Sequence, residues 1–228
     1  MLKLSIVIPV YNERETLETV VAKVNAVDYE KEIVLIDDFS TDGTREILKN
    51  YEKKENFQVF YHKRNQGKGA ALRTGFAKVS GDIIIIQDAD LEYNPADYGI
   101  LIEPILDGRA DVVYGSRFLG GPHRVLFFWH YIGNMILTTW SNMFTNVNLT
   151  DMETGYKVFT KEVNESLALK CNRFGFEPEF TAKVAKNKFR IYEVPISYNG
   201  RDYSEGKKIT WKDGVAAIWY IFKFRFTD

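Results

Sequence analysis

Cysteine is all but absent from this chain of 228 residues, Cys171 being the only one. One thiol excludes an intrachain disulfide framework and a thiolate metal cluster, and it fits a reducing compartment. Histidine is scarce too: His62, His123 and His130 are the full set, which argues against a histidine-rich zinc site. An excess of one charge is also missing, since 30 Lys+Arg meet 31 Asp+Glu for a net charge of -1. No global positive field draws the chain to nucleic acid, so any polyanion site must be local. The opening apolar run MLKLSIVIPVYNE meets Asn12 and Glu13 too soon for a signal peptide, and the expectation is a cytoplasmic start. Three motif families are absent as well. There is no G-x-x-x-x-G-K-[ST], no G-x-G-x-x-G and no G-x-S-x-G, so P-loop phosphoryl transfer, Rossmann dinucleotide binding and a serine nucleophile elbow lose their support.

What is present is a 45% hydrophobic content, too high for disorder, arranged as short β-branched runs alternating with helical spacing. Strands are predicted over 4–10, 32–36, 57–61, 82–87 and 111–114, with helices over 16–26, 41–53, 69–79 and 95–106 between them. That order predicts an α/β fold on a mostly parallel sheet flanked by helices. Ligands bind at the carboxyl ends of such strands, which directs attention to loops 9–13, 37–43, 62–69 and 87–94. No Pro/Gly/Ser-rich linker divides the chain, so one domain over 1–210 and a C-terminal segment over 211–228 are expected.

Between Val125 and Thr150 there is no Asp, Glu, Lys or Arg. His130, Asn134, Thr138 and Asn142 recur there every fourth residue on one helix face, while Phe128, Trp129, Ile136 and Trp140 cover others. The polar residues and Gly133 make it a poor membrane span; a buried helix and a helix lying in a membrane interface both fit. Residues 211–226 repeat the theme, with Trp211, Trp219, Tyr220, Phe222, Phe224 and Phe226 interleaved with Lys212, Lys223 and Arg225. Aromatic and basic residues together suit a lipid headgroup zone, and packing against a second subunit is the plainer option.

The chemistry sits in the loops. Asp88-Ala89-Asp90 follows Ile83-Ile84-Ile85-Ile86, which delivers two carboxylates to the end of a buried strand; hard oxygens there suit Mg²⁺ or Mn²⁺ bridged to a diphosphate, or else cap a turn. Asp37-Asp38 ends another strand, where carboxylates can accept hydrogen bonds from a base or ribose, and Asp42 can cap the next helix. Asn65-Gln66-Gly67-Lys68-Gly69 sets two glycines around a lysine at a helix start, open to phosphate oxygens.

Pro9-Val10-Tyr11-Asn12-Glu13, Asp37-Asp38-Phe39-Ser40-Thr41-Asp42-Gly43, Asn65-Gln66-Gly67-Lys68-Gly69, Asp88-Ala89-Asp90 and Gly115-Ser116-Arg117, in that order, resemble family 2 glycosyltransferases of the GT-A fold. Asp151-Met152-Glu153-Thr154-Gly155-Tyr156-Lys157 and the run Arg201 to Lys208 make the chain most similar to the branch containing dolichol-phosphate mannose synthases and polyprenyl-phosphate glycosyltransferases. A Gln-x-x-Arg-Trp signature of processive synthases is missing. The resemblance implies a metal-dependent, inverting transfer of one sugar from a nucleotide-sugar to a polyprenyl or dolichyl phosphate, at the inner face of a membrane to which the protein attaches peripherally. It implies donor contacts at Pro9, Tyr11, Glu13, Asp37, Asp38, Lys68, Asp88, Ala89 and Asp90, with Mg²⁺ or Mn²⁺ on Asp88 and Asp90. Glu92 stands where relatives place a third polar ligand. Arg117, Arg124, Arg201, Lys207 and Lys208 are the cations expected to take the acceptor phosphate. Asp90, Arg117 and Asp151 are the expected catalytic residues, Asp151 as a base or a sugar-hydroxyl contact. Glu177 and Glu179 could meet the sugar, and a loop at 200–208 could close over the donor. A homodimer or a membrane subunit is a possible partner. The alternatives are a soluble or protein acceptor and a non-catalytic nucleotide-sugar-binding subunit; UDP-glucose, GDP-mannose and UDP-N-acetylglucosamine are equally compatible donors.

Overall fold

β-branched runs buried on both faces need helices on both sides, and the chain supplies them in strict alternation. In the computed structural model, which describes residues 2–125, 127–173, 175–201 and 211–227, the order is β1 (Leu4–Val10), α1 (Leu17–Ala26), β2 (Lys31–Asp37), α2 (Thr44–Lys49), β3 (Phe57–Tyr61), α3 (Lys68–Phe76), β4 (Ile83–Ile86), α4 (Tyr98–Leu106) and β5 (Val112–Ser116). A 3-10 turn, Pro95–Asp97, leads into α4. There follow α5 (Phe128–Thr145), β6 (Lys157–Thr160), α6 (Lys161–Ser166), α7 (Phe176–Lys186), β7 (Ile191–Pro195) and α8 (Trp211–Phe226).

The seven strands pair in the order β3-β2-β1-β4-β6-β5-β7. All neighbours are parallel except β6, which runs antiparallel to both β4 and β5. After β1 the chain steps to one side for β2 and β3, then crosses to the other side of β1 for β4. That reversal opens a crevice beyond the carboxyl ends of β1 and β4, where α/β sheets hold ligands. Alternation along β4 sends Ile83 and Ile85 to the face covered by Val20, Val24, Leu101 and Ile102, and Ile84 and Ile86 to the face covered by Leu72, Phe76, Phe176 and Phe180. Each such side chain contributes about 1.5–3 kcal/mol of burial.

Helix starts differ from the sequence expectation where glycine intervenes. α2 begins at Thr44 rather than at 41, because Gly43 has φ +100°, outside the helical region. Asp42 accepts the Thr44 N–H (3.0 Å) and hydroxyl (2.6 Å), as a capping residue does. Gly67, at φ +98°, precedes α3, and a side chain there would strike the Asn172 carbonyl and Arg173. Pro178 sits at the third position of α7, within the turn whose N–H groups lack helical partners.

Glu32 on β2 is buried and accepts hydrogen bonds from the Ser5 hydroxyl (2.5 Å), the Ser80 N–H (2.5 Å) and hydroxyl (2.8 Å), and Lys3 Nζ (3.0 Å). Burial alone would raise its pKa, but these bonds hold it down to about 2. A carboxyl lowered by folding stabilises the protein above its unfolded pKa, about 4.3, and that stability drains away as the pH falls toward the folded value. Urea midpoints measured from pH 6 to pH 2.5 are expected to fall less steeply for Glu32→Gln than for the wild type; parallel curves would remove Glu32 from the acid response.

α5 is split by side. Thr138 and Ser141 are buried, Asn142 grips Leu149 by donating to its carbonyl (2.7 Å) and accepting its N–H (3.1 Å), and Thr138 Oγ1 accepts the Met152 N–H (3.1 Å). The polar stripe therefore faces protein. Phe128 (63%), Trp129 (77%) and Met143 (75%) stand exposed on the other sides. α8 packs on α5 and α7 through buried Ala217, Ile221 and Phe224, with Phe222 joining Trp140 and Phe144 at ring separations of 5.8 and 4.5 Å. Trp219 and Phe226 point outward. Among the described residues no helix is long and apolar enough to cross a membrane.

Candidate active site

The loops after β1 and β2 are tied together by polar side chains. Asn12, at φ +52°, gives its N–H to Ser40 Oγ (3.0 Å) and accepts the Thr41 N–H on Oδ1 (2.8 Å). Asp37 accepts the Phe39 and Ser40 N–H groups (both 3.1 Å) and Arg45 Nε (2.6 Å). Asp38 accepts the Gln66 and Gly67 N–H groups (2.8 and 2.6 Å) and lies 2.7 Å from His62 Nδ1. Both carboxylates, anticipated as donor contacts, are thus buried and engaged by the protein itself. Tyr11 and Phe39 are the rings exposed at this rim.

At the end of β4 the two expected metal carboxylates face one crevice. Asp88 meets Lys68 Nζ at 2.9 Å, and the same ammonium reaches Glu177 Oε1 at 3.3 Å. Burial would lower the Lys68 pKa, but Asp88 and Glu177 raise it, so it remains a cation. Asp90 meets Arg201 Nη2 at 2.9 Å, and Arg201 also reaches Glu13 (3.5 Å) and Glu92 (3.6 Å). Burial first, then the charges of Asp88 and Glu92, push the Asp90 carboxyl upward, with Arg201 opposing. Anionic charge is crowded here, and a cation is what the crowding favours. Gly155 leaves the space that Asp88 occupies, since a Cβ there would collide with Asp88 Oδ2. Hard oxygen donors on Asp88 and Asp90 fit Mg²⁺ or Mn²⁺ that keeps waters and substrate oxygens. Among the described residues no three His, Cys, Asp or Glu side chains group around a metal position. Glu92, the position of the third ligand in relatives, accepts the Tyr198 hydroxyl (2.8 Å) and the Arg201 N–H (2.8 Å).

Arg117, just past β5, forms a bidentate pair with fully buried Asp151: Nε to Oδ2 and Nη2 to Oδ1, both 2.7 Å, plus the Arg117 N–H at 3.1 Å. Asn134 of α5 donates to Asp151 Oδ1 (3.2 Å) and accepts from Arg117 Nη2 (3.3 Å). The guanidinium lies 5.2 Å from the Tyr198 ring centre. Arg124 donates its N–H to the Tyr198 carbonyl (2.9 Å) and its Nη1 to the Gly200 carbonyl (3.2 Å). Three of the five expected acceptor cations, Arg117, Arg124 and Arg201, therefore gather on the segment 198–201. Lys207 and Lys208, with the rest of the loop at 202–210, lie outside the described residues.

Glu179, expected near the sugar, is buried and holds the Lys170 N–H (2.8 Å), the Cys171 N–H (2.7 Å) and Lys183 Nζ (2.8 Å), which makes it part of the scaffold. Glu177 stays at the crevice through Lys68, and its Oε2 has no hydrogen-bond partner. Glu153 Oε1 is likewise without a partner; burial and then repulsion from Glu177 raise its pKa. Lys157 is fully buried and donates to the Met152 (3.1 Å) and Thr154 carbonyls. Sequence reasoning missed Tyr198 and Lys157 as parts of the site. Tyr198 lies in no motif, and Lys157 closes one only as its last letter.

Residues 5–168 match the family model described as glycosyl transferase family 2. The chain belongs to glycosyl transferase family 2. A family 2 relative from Pyrococcus furiosus, named dolichol-phosphate mannosyltransferase, is 30% identical over 90% of this chain, which spans 59% of that protein's length. Another, polyprenol monophosphomannose synthase of Mycolicibacterium smegmatis, is 28% identical over 89% of this chain and 79% of its own. Among solved structures, glucosyl-3-phosphoglycerate synthase from Mycobacterium tuberculosis, in complex with Mn²⁺, UDP and phosphoglyceric acid, superposes with a TM-score of 0.76 at 19% identity, covering 100% of this chain and 80% of that one. That likeness speaks for the fold. The α/β architecture expected from the motifs is thereby borne out.

Proposed function

We propose that this family 2 glycosyltransferase moves one sugar, with inversion, from a nucleotide-sugar to a polyprenyl or dolichyl phosphate. The observation that carries the reading is the meeting, at one crevice, of the Asp88/Asp90 carboxylates with the cationic set Lys68, Arg117, Arg124 and Arg201. Names of the two mannosyl-transferring relatives support the acceptor class. Asp88 and Asp90 would hold a divalent ion together with the donor diphosphate, and such an ion would supply Lewis-acid relief of charge on the departing nucleotide. Pro9, Tyr11, Glu13 and Ala89 border the donor, while Asp37 and Asp38 fix the loops around it from behind. Lys68 balances Asp88 and stands beside the phosphates.

Cations dominate the acceptor side because the nucleophile is itself an anion. A phosphate monoester has a second pKa near 6, so at neutral pH its oxygen needs no strong base. Asp151, with its oxygens taken by Arg117 and Asn134, then acts by aiming Arg117 rather than by removing a proton. Arg117, Arg124 and Arg201, with Lys207 and Lys208, bring acceptor phosphate to donor against their mutual repulsion, which is chiefly a positioning task.

Attachment to a membrane surface is part of the proposal, carried by the outward rings of α5 and α8. The test is transfer to polyprenyl phosphate in liposomes with UDP-glucose, GDP-mannose and UDP-N-acetylglucosamine as donors. Turnover should depend on lipid and on Mg²⁺ or Mn²⁺, and Phe128→Ser with Trp129→Ser should release the protein from the vesicles. Equal transfer to a water-soluble phosphate without lipid would favour the soluble-acceptor reading instead.

A further inference from the structure

A cleft of about 580 Å³ lies between the turn before α3, the loop 170–173 and α8, with Asn65 and Gln66 of that turn on its lining. Arg64, Lys170, Arg173 and Lys223 line it, and Tyr220 and Phe224 form an aromatic wall. Among the described residues its lining carries four cations and no carboxylate. Glu179, which accepts the Cys171 N–H at the cleft lining, is already compensated by Lys183 and two N–H groups. Among the described residues no carboxylate pairs with Arg64, Arg173 or Lys223. Lys223 Nζ instead lies 5.4 Å from the Phe224 ring centre. Like charges collected in a concave, low-dielectric wall raise the local anion concentration and are relieved only by an anion.

We propose that this cleft is a second phosphate site, separate from the transfer crevice, that takes a phosphate ester with an apolar portion against Tyr220 and Phe224. The turn 65–67 divides the two: its N–H groups at Gln66 and Gly67 face Asp38, and the next residue, Lys68, faces Asp88. Arginines suit two-point capture of phosphate oxygens, and the volume exceeds what a bare phosphate fills. The same helix that gives Lys223, Tyr220 and Phe224 to the cleft exposes Trp219 and Phe226. A phosphate at a bilayer surface and a soluble phosphate ester share the recognising chemistry. The inference stands independently of the transfer reading.

Binding by the full chain to phosphatidylglycerol vesicles, phosphatidylcholine vesicles and inorganic pyrophosphate is followed by tryptophan fluorescence. Lys223→Gln should weaken binding to phosphatidylglycerol about fivefold and Lys223→Glu roughly thirtyfold, each removed charge unit near an anionic surface counting equally, with phosphatidylcholine binding unchanged. Pyrophosphate binding with the same sensitivity to Lys223 identifies a soluble source and upholds the site. Arg173→Gln gives the same answer should Lys223→Glu fail to fold, as checked by circular dichroism. The proposal is overturned if the variants bind both anionic probes as the wild type does, or if donor turnover falls in step with binding, since the cleft would then belong to the donor pocket.

Discussion

Asp90→Asn is expected to lower turnover by about a hundredfold or more while leaving the protein folded. The amide keeps the size of the side chain and its place after β4, but it removes the anionic oxygen proposed to hold the diphosphate-bound metal. Stability should not suffer. Asp90 is half-buried, and burial followed by the charges of Asp88 and Glu92 disfavours its ionised form by more than Arg201 favours it, so a neutral replacement relieves repulsion. Loss of turnover with an unchanged or higher melting temperature is therefore the signature, read by metal titration of donor consumption beside a thermal melt. Metal-dependent turnover retained in the variant would remove Asp90 from the metal site.

Asp151→Ala is expected to destabilise the fold by about 3–5 kcal/mol, the cost of leaving one member of a buried ion pair unmatched. Asp151 has no exposed surface and accepts four hydrogen bonds from Arg117 and Asn134. Without it the Arg117 guanidinium remains in the interior with only Asn134 and aromatic rings as neighbours. Urea unfolding of the two single variants and of the double variant with Arg117→Ala should give strong coupling, the double losing less than the sum of the singles. Arg117→Ala should also raise the acceptor KM or depress kcat while donor affinity stays within a few-fold. Additive losses in urea, or loss of donor binding with normal acceptor use, would show that the pair does not aim Arg117 at the acceptor.

The first half of the fold was legible because its strands are buried on both faces and read as continuous β-branched runs, Ile83–Ile86 most plainly. β6 and β7 lacked that signal. Lys157–Thr160 has four residues and a buried lysine, and Ile191–Pro195 is an edge strand of mixed exposure. The site was legible as a set of loops and less so as a set of partners. In the sequence Asp37, Asp38 and Glu179 suit a ligand and a backbone N–H alike, because a carboxylate at a strand or helix end serves either. Only the folded chain shows which N–H groups they hold, as only it shows that Asn134, whose helical spacing was visible, meets Arg117 and Asp151.

The reversed direction of β6 governs how the chain can vary in length. A parallel strand offers its exit to the crevice, whereas β6, inserted backwards between β4 and β5, offers its entrance. The lead-in 151–156 is therefore held at the same edge as Asp88 and Arg117, and Gly115 donates its N–H to the Tyr156 carbonyl (3.0 Å) to fix its end. One residue added or removed there would swing Asp151 off Arg117 and shift Gly155 against Asp88. The turn at Gly108, on the opposite edge, is held by Ile105 and Arg190 but touches neither Asp88 nor Arg117. Length variation in this architecture belongs on the side away from the chemistry, and the backward strand extends the intolerant side to a segment that precedes a strand instead of following one.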